Sequence, residues 1–135
     1  MSPGPIRDAY RAWLASLPGI GTGQSEVSIP GSMGVFLERV AARPGVDLMP
    51  PQWDSEFVHL HPDGSVHVIL PPDDVAEILE KHWGEPHPYY GQHRGSHSVD
   101  AVLVYAPRTA DELKIVEQIV GAAYEYATGR SADTQ

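Results

Sequence analysis

Three histidines lie close together in one short segment of the chain. The segment 56–70 reads EFVHLHPDGSVHVIL and contains His59, His61 and His67. Imidazole binds zinc, copper, nickel or iron, and it exchanges protons near neutral pH. If the three side chains share a surface, they predict either an open site for a divalent metal or a metal-free acid–base pocket. A third interpretation, that they are tolerated surface groups, stays open at this stage.

The turn inside this segment decides whether the histidines meet. Pro62-Asp63-Gly64 separates two alternating runs, which is typical of a β-hairpin with a three-residue loop and Gly64 in the left-handed conformation. Loop length fixes the register of a hairpin, and this one places His59 opposite His67. A two-residue loop would place His67 opposite Leu60 instead and would disperse the histidines.

Alternation then divides the hairpin into two faces. One face is uniformly apolar, and we expect it to pack on the helices as the core face: Val58, Leu60, Val66, Val68 and Leu70. The other face, which we call the histidine face, is expected to meet solvent: Phe57, His59, His61, Ser65, His67 and Ile69. The catalytic or metal-ligating candidates are therefore His59, His61 and His67.

A Gly- and Pro-punctuated segment further along the chain supplies candidate ligand-binding residues. It reads HWGEPHPYYGQHRGSHS from residue 82 and includes His87, Tyr89, Tyr90 and Arg94. If this loop folds over the histidine face, these side chains offer hydrogen-bond donors, aromatic walls and one fixed positive charge. If it does not, its histidines are solvated spacers.

The elements that must position these residues predict an α+β fold. We expect an antiparallel sheet of about four strands with helices packed on one face. The expected helices are an N-terminal helix over 6–17, a helix over 33–43 with Ser32 as its N-cap, a short helix from about 74, and a long C-terminal helix over 109–127. The expected strands, besides the hairpin, are 46–49 and 99–105, with a loop over 19–32 and a frayed tail over 130–135.

Composition limits the classes of function. The 135 residues fit a single domain, and they contain no cysteine, so disulfides, thiolate nucleophiles and sulfur ligands are excluded. A net charge of −9 disfavours nucleic acid and anionic membrane surfaces as partners. The chain shows no transmembrane run and no export signal, which favours a cytoplasmic location.

Several segments resemble a known family. RPGVDL at 43–48, EFVHLHPDGSVHVILPP at 56–72, EPHP at 85–88 and VLVYAPRTADEL from 102 are similar to the small bacterial and fungal luciferase domain proteins. The match covers roughly residues 36–129, within a core at 33–129, and its most specific part is Glu56-x-x-His59-x-His61. The resemblance implies the fold and the choice of site residues rather than a reaction.

The order of elements also resembles YjbR-like double-wing domains, but only in layout. DNA binding does not carry over, because the chain has a net charge of −9 and no basic stripe.

Two functions follow as hypotheses. The first is a small-molecule site, with or without a divalent metal, on the histidine face and the adjoining loop, as in an enzyme of small-molecule metabolism. The second is a non-catalytic accessory module that binds a protein partner or a second copy of itself. It would bind through the C-terminal helix or through a sheet face with exposed Phe57, Ile69, Tyr89 and Tyr90. The sequence leaves the substrate, the metal and the oligomeric state open.

Overall fold

The protein is α+β, and its structure is given by a computed structural model that describes residues 1–86, 93–94, 97–98 and 101–132. The helices are α1 (Gly4–Ala15), α2 (Pro72–Glu80) and α3 (Ala110–Thr128). The strands are β1 (Ile20–Gln24), β2 (Met33–Leu37), β3 (Glu56–Leu60), β4 (Val66–Ile69), β5 (Gly84–Pro86), β6 (His93–Arg94), β7 (His97–Ser98) and β8 (Ala101–Val104).

Within the described ranges, six strands form one antiparallel sheet in the order β1-β2-β3-β4-β8-β5, and β6 pairs with β7 in a separate two-stranded hairpin. The antiparallel α+β class is confirmed, but the sheet has six strands and not four. Three of the six strands were not predicted as strands: β1 and β2, where the sequence predicted a loop and a helix, and β5, which follows the short helix.

The predicted helix over 33–43 is wrong, because residues 33–37 form β2. Val35, Phe36 and Leu37 favour strands as readily as helices, and β2 gains backbone partners on both sides, from β1 and β3. Gly34 also suits this strand, because a side chain there would contact the Phe36 ring. Ser32 caps no helix; its hydroxyl lies 3.0 Å from that of Ser28.

Two further local predictions are wrong for the same kind of reason. Residues 20–24, inside the predicted loop over 19–32, form β1, although Gly21 and Gly23 give no local strand signal. The predicted strand over 46–49 forms no strand: Leu48 and Met49 are buried but bond to residues 53 and 56 in a turn. Strand pairing is set by partners distant in sequence, and local patterns do not record it.

The long C-terminal helix is confirmed and forms the main support of the sheet. The Thr109 side chain accepts a hydrogen bond from the Glu112 backbone N–H at 3.1 Å, so Thr109 is the N-cap of α3. The Glu112 carboxylate accepts from the Arg108 N–H at 2.8 Å, one residue before the position that a capping box would use. The helix lies across β3 and β4, and α1 packs against it. The core is closed between them by the predicted core face of the hairpin, whose five side chains are all buried.

No helix in the described part of the chain combines the length and the apolar character that crossing a bilayer requires.

Candidate functional site

The hairpin of β3 and β4 has the predicted register. His59 lies opposite His67, Leu60 opposite Val66 and Val58 opposite Val68. The turn closes with the His61 N–H donating to the Ser65 carbonyl at 2.8 Å, and Gly64 has φ +98°. A side chain at Gly64 would be strained in this conformation and would collide with Ser2. The turn thus holds His59, His61 and His67 on one face.

The three imidazoles lie edge-to-face in a compact cluster. Their ring centroids are 5.0 Å apart for His59 and His67, 5.1 Å for His59 and His61, and 4.6 Å for His61 and His67. One nitrogen of each ring lies within 4.8 Å of the others. The predicted grouping of the histidines is therefore present in the structure.

A β-bulge in β3 adds a carboxylate to this cluster. In the pairing with β2, Val35 lies opposite Val58 and Phe36 lies opposite Glu56, which leaves Phe57 as the extra residue. An extra residue reverses the alternation of side chains on one side of the bulge. Glu56 consequently shares the histidine face with His59, although strict alternation would place it on the core face.

The bulge also corrects the predicted membership of the histidine face. Phe57 is fully buried, and its ring meets the edge of Tyr124 on α3 with the centroids 6.0 Å apart. Ile69 is buried too. The exposed apolar patch predicted for an accessory module therefore lacks both of these residues.

Part of the histidine face is covered by the chain between β1 and β2. Glu56 accepts hydrogen bonds from the Ser25 hydroxyl at 2.6 Å and from the Glu26 backbone N–H at 3.0 Å. Glu56 and His59 retain only 3% and 4% of their exposure. The expectation that the whole face meets solvent is thus wrong at His59, while His61 and His67 remain half-buried.

A chain of hydrogen bonds runs from the buried Glu56 carboxylate through His59 to His67. His59 Nδ1 lies 2.9 Å from Glu56 Oε2, and His59 Nε2 lies 3.0 Å from His67 Nδ1. Because a carboxylate only accepts, we assign the His59 proton to Nδ1, which leaves a lone pair on Nε2. His59 is thus held in one orientation and one tautomer.

A second chain of hydrogen bonds links His61 through Ser65 to the Asp63 carboxylate. The Ser65 hydroxyl donates to Asp63 at 2.7 Å and lies 3.0 Å from His61 Nδ1. Since the Ser65 proton is directed to the carboxylate, its oxygen accepts from His61 Nδ1, and the lone pair of this ring is also on Nε2. Burial lowers the pKa of His61 and the neighbouring His59 lowers it further, although Asp63 opposes them.

A cleft of about 640 Å³ opens onto the exposed side of the cluster. Its walls combine apolar groups with the two half-buried histidines and one cation: Met1, Arg7, Ile29, His61, Pro62, Asp63, Ser65, His67 and Leu103. Arg7 donates to the Pro62 carbonyl at 2.9 Å and so is fixed at this rim. A small molecule in the cleft would meet imidazole on one side and apolar surface on the other.

The predicted ligand-binding loop is not part of this description. His87, Tyr89 and Tyr90 lie outside the described residues, and Arg94 is described only as part of β6. The proposal that these residues complete the pocket stays a prediction.

Sequence reasoning did not select Glu56, Ser25, Asp63 and Ser65 as site residues. Glu56 was noted only in the Glu56-x-x-His59-x-His61 motif of the family resemblance, and its contact with His59 depends on the bulge. The signal for Asp63 and Ser65 was the turn itself, because an Asp side chain commonly bonds to the residue two positions on. No local signal indicates Ser25, whose role depends on the return of β1 and β2 to β3.

Sequence comparison relates this chain to known proteins. A sequence model of the luciferase domain family matches residues 54–123, which include all three histidines and Glu56. The luciferase of Armillaria ostoyae is 35% identical over 81 residues, and that of Neonothopanus nambi is 35% identical over 79 residues. The matches cover 58% and 57% of this chain, which spans about 30% of the length of each relative. No solved structure matches the chain.

Proposed function

The chain belongs to the luciferase domain family, and from that premise we propose that its histidine face binds a small molecule and is the reactive site of the domain. One observation carries the proposal: a cluster of three imidazoles places two of its rings, His61 and His67, in the wall of a cleft large enough for a small organic ligand.

The cleft divides the cluster into contacting and supporting groups. His61 and His67 line the cleft and contact the ligand. His59 and Glu56 are buried behind them and fix the orientation of the rings through the bonds at 2.9 and 3.0 Å. Reactive groups held on paired strands keep their geometry when a ligand binds, which is the condition for efficient chemistry.

The walls of the cleft indicate the ligand's character. Leu103, Ile29 and Met1 offer apolar contact, and Arg7 is the one basic side chain among the lining residues described. A planar or short apolar molecule with a polar or acidic group at one end matches this distribution. The same distribution supports the proposal that the domain acts on the bound molecule as an enzyme.

Fragment binding to the full chain tests the proposal. We would screen a library of aromatic carboxylates and phenols by NMR, and we expect hits to shift the methyl signals of Leu103 and the ring signals of His61 and His67. Leu103→Trp, which fills the cleft, should abolish this binding. The matched control is Ile119→Trp, in the groove between α2 and α3, which should leave it unchanged.

The opposite pattern contradicts the proposal. Hits that respond to Ile119→Trp and not to Leu103→Trp would place the ligand site between the helices. A screen in which no fragment shifts His61, His67 or Leu103 would leave the accessory-module hypothesis in its place.

A further inference from the structure

Two chains of hydrogen bonds, from Glu56 to His59 and from Asp63 through Ser65 to His61, leave Nε2 as the lone-pair nitrogen of each ring. In His59 and in His61, Nδ1 is held by an acceptor, Glu56 in one case and Ser65 in the other. Both Nε2 atoms are consequently unprotonated in the neutral rings. A histidine that ligates a metal characteristically donates its other N–H to a carboxylate or another acceptor, and this partner fixes the tautomer that can bind.

We infer that His59 Nε2, His61 Nε2 and His67 Nδ1 form a three-histidine site for a divalent transition metal ion. In the metal-free chain the His67 Nδ1–H donates to His59 Nε2. Metal binding therefore requires His67 to move this proton to its own Nε2, which leaves Nδ1 as the ligand. The inference rests on the proposed function, since a ligand in the cleft would occupy the metal's open position. It goes further by naming a cofactor class and by assigning Glu56 and the Asp63–Ser65 pair as positioning residues of the metal ligands.

The spacing of the nitrogens suits such an ion. Two ligands at about 2.0–2.1 Å from a tetrahedral zinc ion are separated by about 3.3 Å. His59 Nε2 and His67 Nδ1 are 3.0 Å apart, close to this value. All three ligand nitrogens lie within 4.8 Å of one another, so reaching the tetrahedral spacing needs a shift of at most about 1.5 Å, which the half-buried rings would supply by rotation.

The donor set selects the class of metal. Three imidazoles without thiolate suit zinc, cobalt, nickel, copper or iron rather than calcium or magnesium, which prefer oxygen ligands. Three protein ligands leave a coordination position open, as catalytic sites do. In this protein the open position faces the cleft, because His61 and His67 lie in its wall.

Metal binding to the untagged full chain tests the inference. After chelation of adventitious metal, Co²⁺ alone would be titrated and followed by its visible absorption, and Zn²⁺ would then be added as a competitor. We expect one equivalent of Co²⁺ with a tetrahedral or five-coordinate spectrum. The decisive variants are at the half-buried positions, because these side chains do not belong to the core. His61→Ala and His67→Ala should each weaken Co²⁺ binding about tenfold or more, and circular dichroism checks that each variant is folded.

Two further variants separate a metal site from general affinity for histidine. Glu56→Gln keeps the shape of the side chain but removes its charge, and it should weaken Co²⁺ binding by about 10–100-fold. His82→Ala lies outside the cluster and should leave binding unchanged. Binding that the His61→Ala/His67→Ala double variant retains in full would overturn the inference, as would a wild-type chain that binds no Co²⁺.

Failure of the metal inference can be distinguished from failure of the proposed small-molecule site. If fragments still shift Leu103 and His67 while Co²⁺ does not bind, the small-molecule site stands as a metal-free pocket and the metal inference is wrong. If Co²⁺ binds at the three histidines but no fragment does, the metal inference stands and the proposed ligand site fails.

Discussion

Glu56 and His59 face each other at 2.9 Å although they are three residues apart on one β-strand. In a regular strand, side chains at an odd spacing point to opposite faces. The contact exists because Phe57 is an extra residue in the pairing of β3 with β2. The bulge thus supplies the histidine face with its negative charge and at the same time anchors Phe57 on Tyr124.

Removing the Glu56 carboxylate should lower the free energy of unfolding. In Glu56→Ala, the Ser25 hydroxyl, the Glu26 N–H and His59 Nδ1 all lose a buried acceptor. Buried donors without a partner cost about 1–3 kcal/mol each, and partial rearrangement reduces their sum, so we expect a loss of about 2–4 kcal/mol. Urea denaturation measures it. Glu80→Ala, at an exposed site, should change stability by less than about 0.5 kcal/mol, and an equally small change in Glu56→Ala would contradict the expectation.

Tyr10 in α1 has a buried polar group whose removal should not destabilise the protein. Among the described residues, Tyr10 has no hydrogen-bond partner for its buried hydroxyl, and burial raises its pKa well above the ordinary value. Tyr10→Phe removes the desolvation cost of this group, so we expect unchanged stability or a gain of up to about 1 kcal/mol.

Tyr124→Phe is the matched control for Tyr10→Phe. Its hydroxyl donates to the Pro18 carbonyl, and losing that bond should cost about 1 kcal/mol, again by urea denaturation. If Tyr10→Phe proves the more destabilising of the two, the Tyr10 hydroxyl has a stabilising role that its surroundings do not indicate.

The sequence was informative where structure is encoded locally. The turn Pro62-Asp63-Gly64 fixed the hairpin register, and Thr109 with Glu112 marked the start of α3. Both signals act within a few residues. The opposing case is β2, where Met33–Leu37 follow a pattern that a helix also satisfies, and only pairing with β1 and β3 decides between them.

The histidine cluster of the candidate site could be predicted from the local sequence, but the residues that support it could not. Loop length and alternation were sufficient to bring His59, His61 and His67 together. The position of Glu56 on the histidine face was not predicted, because the bulge arises from the register between β2 and β3 and leaves no mark in the local pattern. The covering of His59 by Ser25 and Glu26 depends on β1 and was invisible for the same reason.

Glu117 on α3 should make stability depend on pH. Burial raises its pKa, more than the nearby Lys114 lowers it. The folded state then holds this proton to higher pH than the unfolded state, whose pKa is near the ordinary value of 4.5. The stabilisation is complete below that value and is lost as pH rises through the folded-state pKa, because above it the carboxylate is charged and partly desolvated beside Tyr10.

Glu117→Gln should therefore be more stable than the wild type at pH 7, and the difference should vanish at about pH 4. Urea midpoints of both proteins at the two pH values measure it. Glu125→Gln, at an exposed position of the same helix, should give no comparable gain at pH 7. A difference between Glu117→Gln and the wild type that is the same at both pH values would contradict this assignment.

Ser65 should determine which nitrogen of His61 carries the proton. Its hydroxyl donates to Asp63 and accepts from His61 Nδ1, so the neutral ring should be in the Nδ1–H form in the wild type. In Ser65→Ala that hydrogen bond is lost; at about 1 kcal/mol, its removal should shift the tautomer ratio about fivefold toward Nε2–H. Nitrogen chemical shifts of the imidazole, recorded on metal-free protein at pH 8, distinguish the two forms. Ser16→Ala, at an exposed site on α1's C-terminal side, should leave the His61 signals unchanged. A wild-type His61 with its proton on Nε2 would mean that the lone pair points to Ser65 and away from the cluster, and His61 would then be unable to ligate through Nε2 without first releasing that proton.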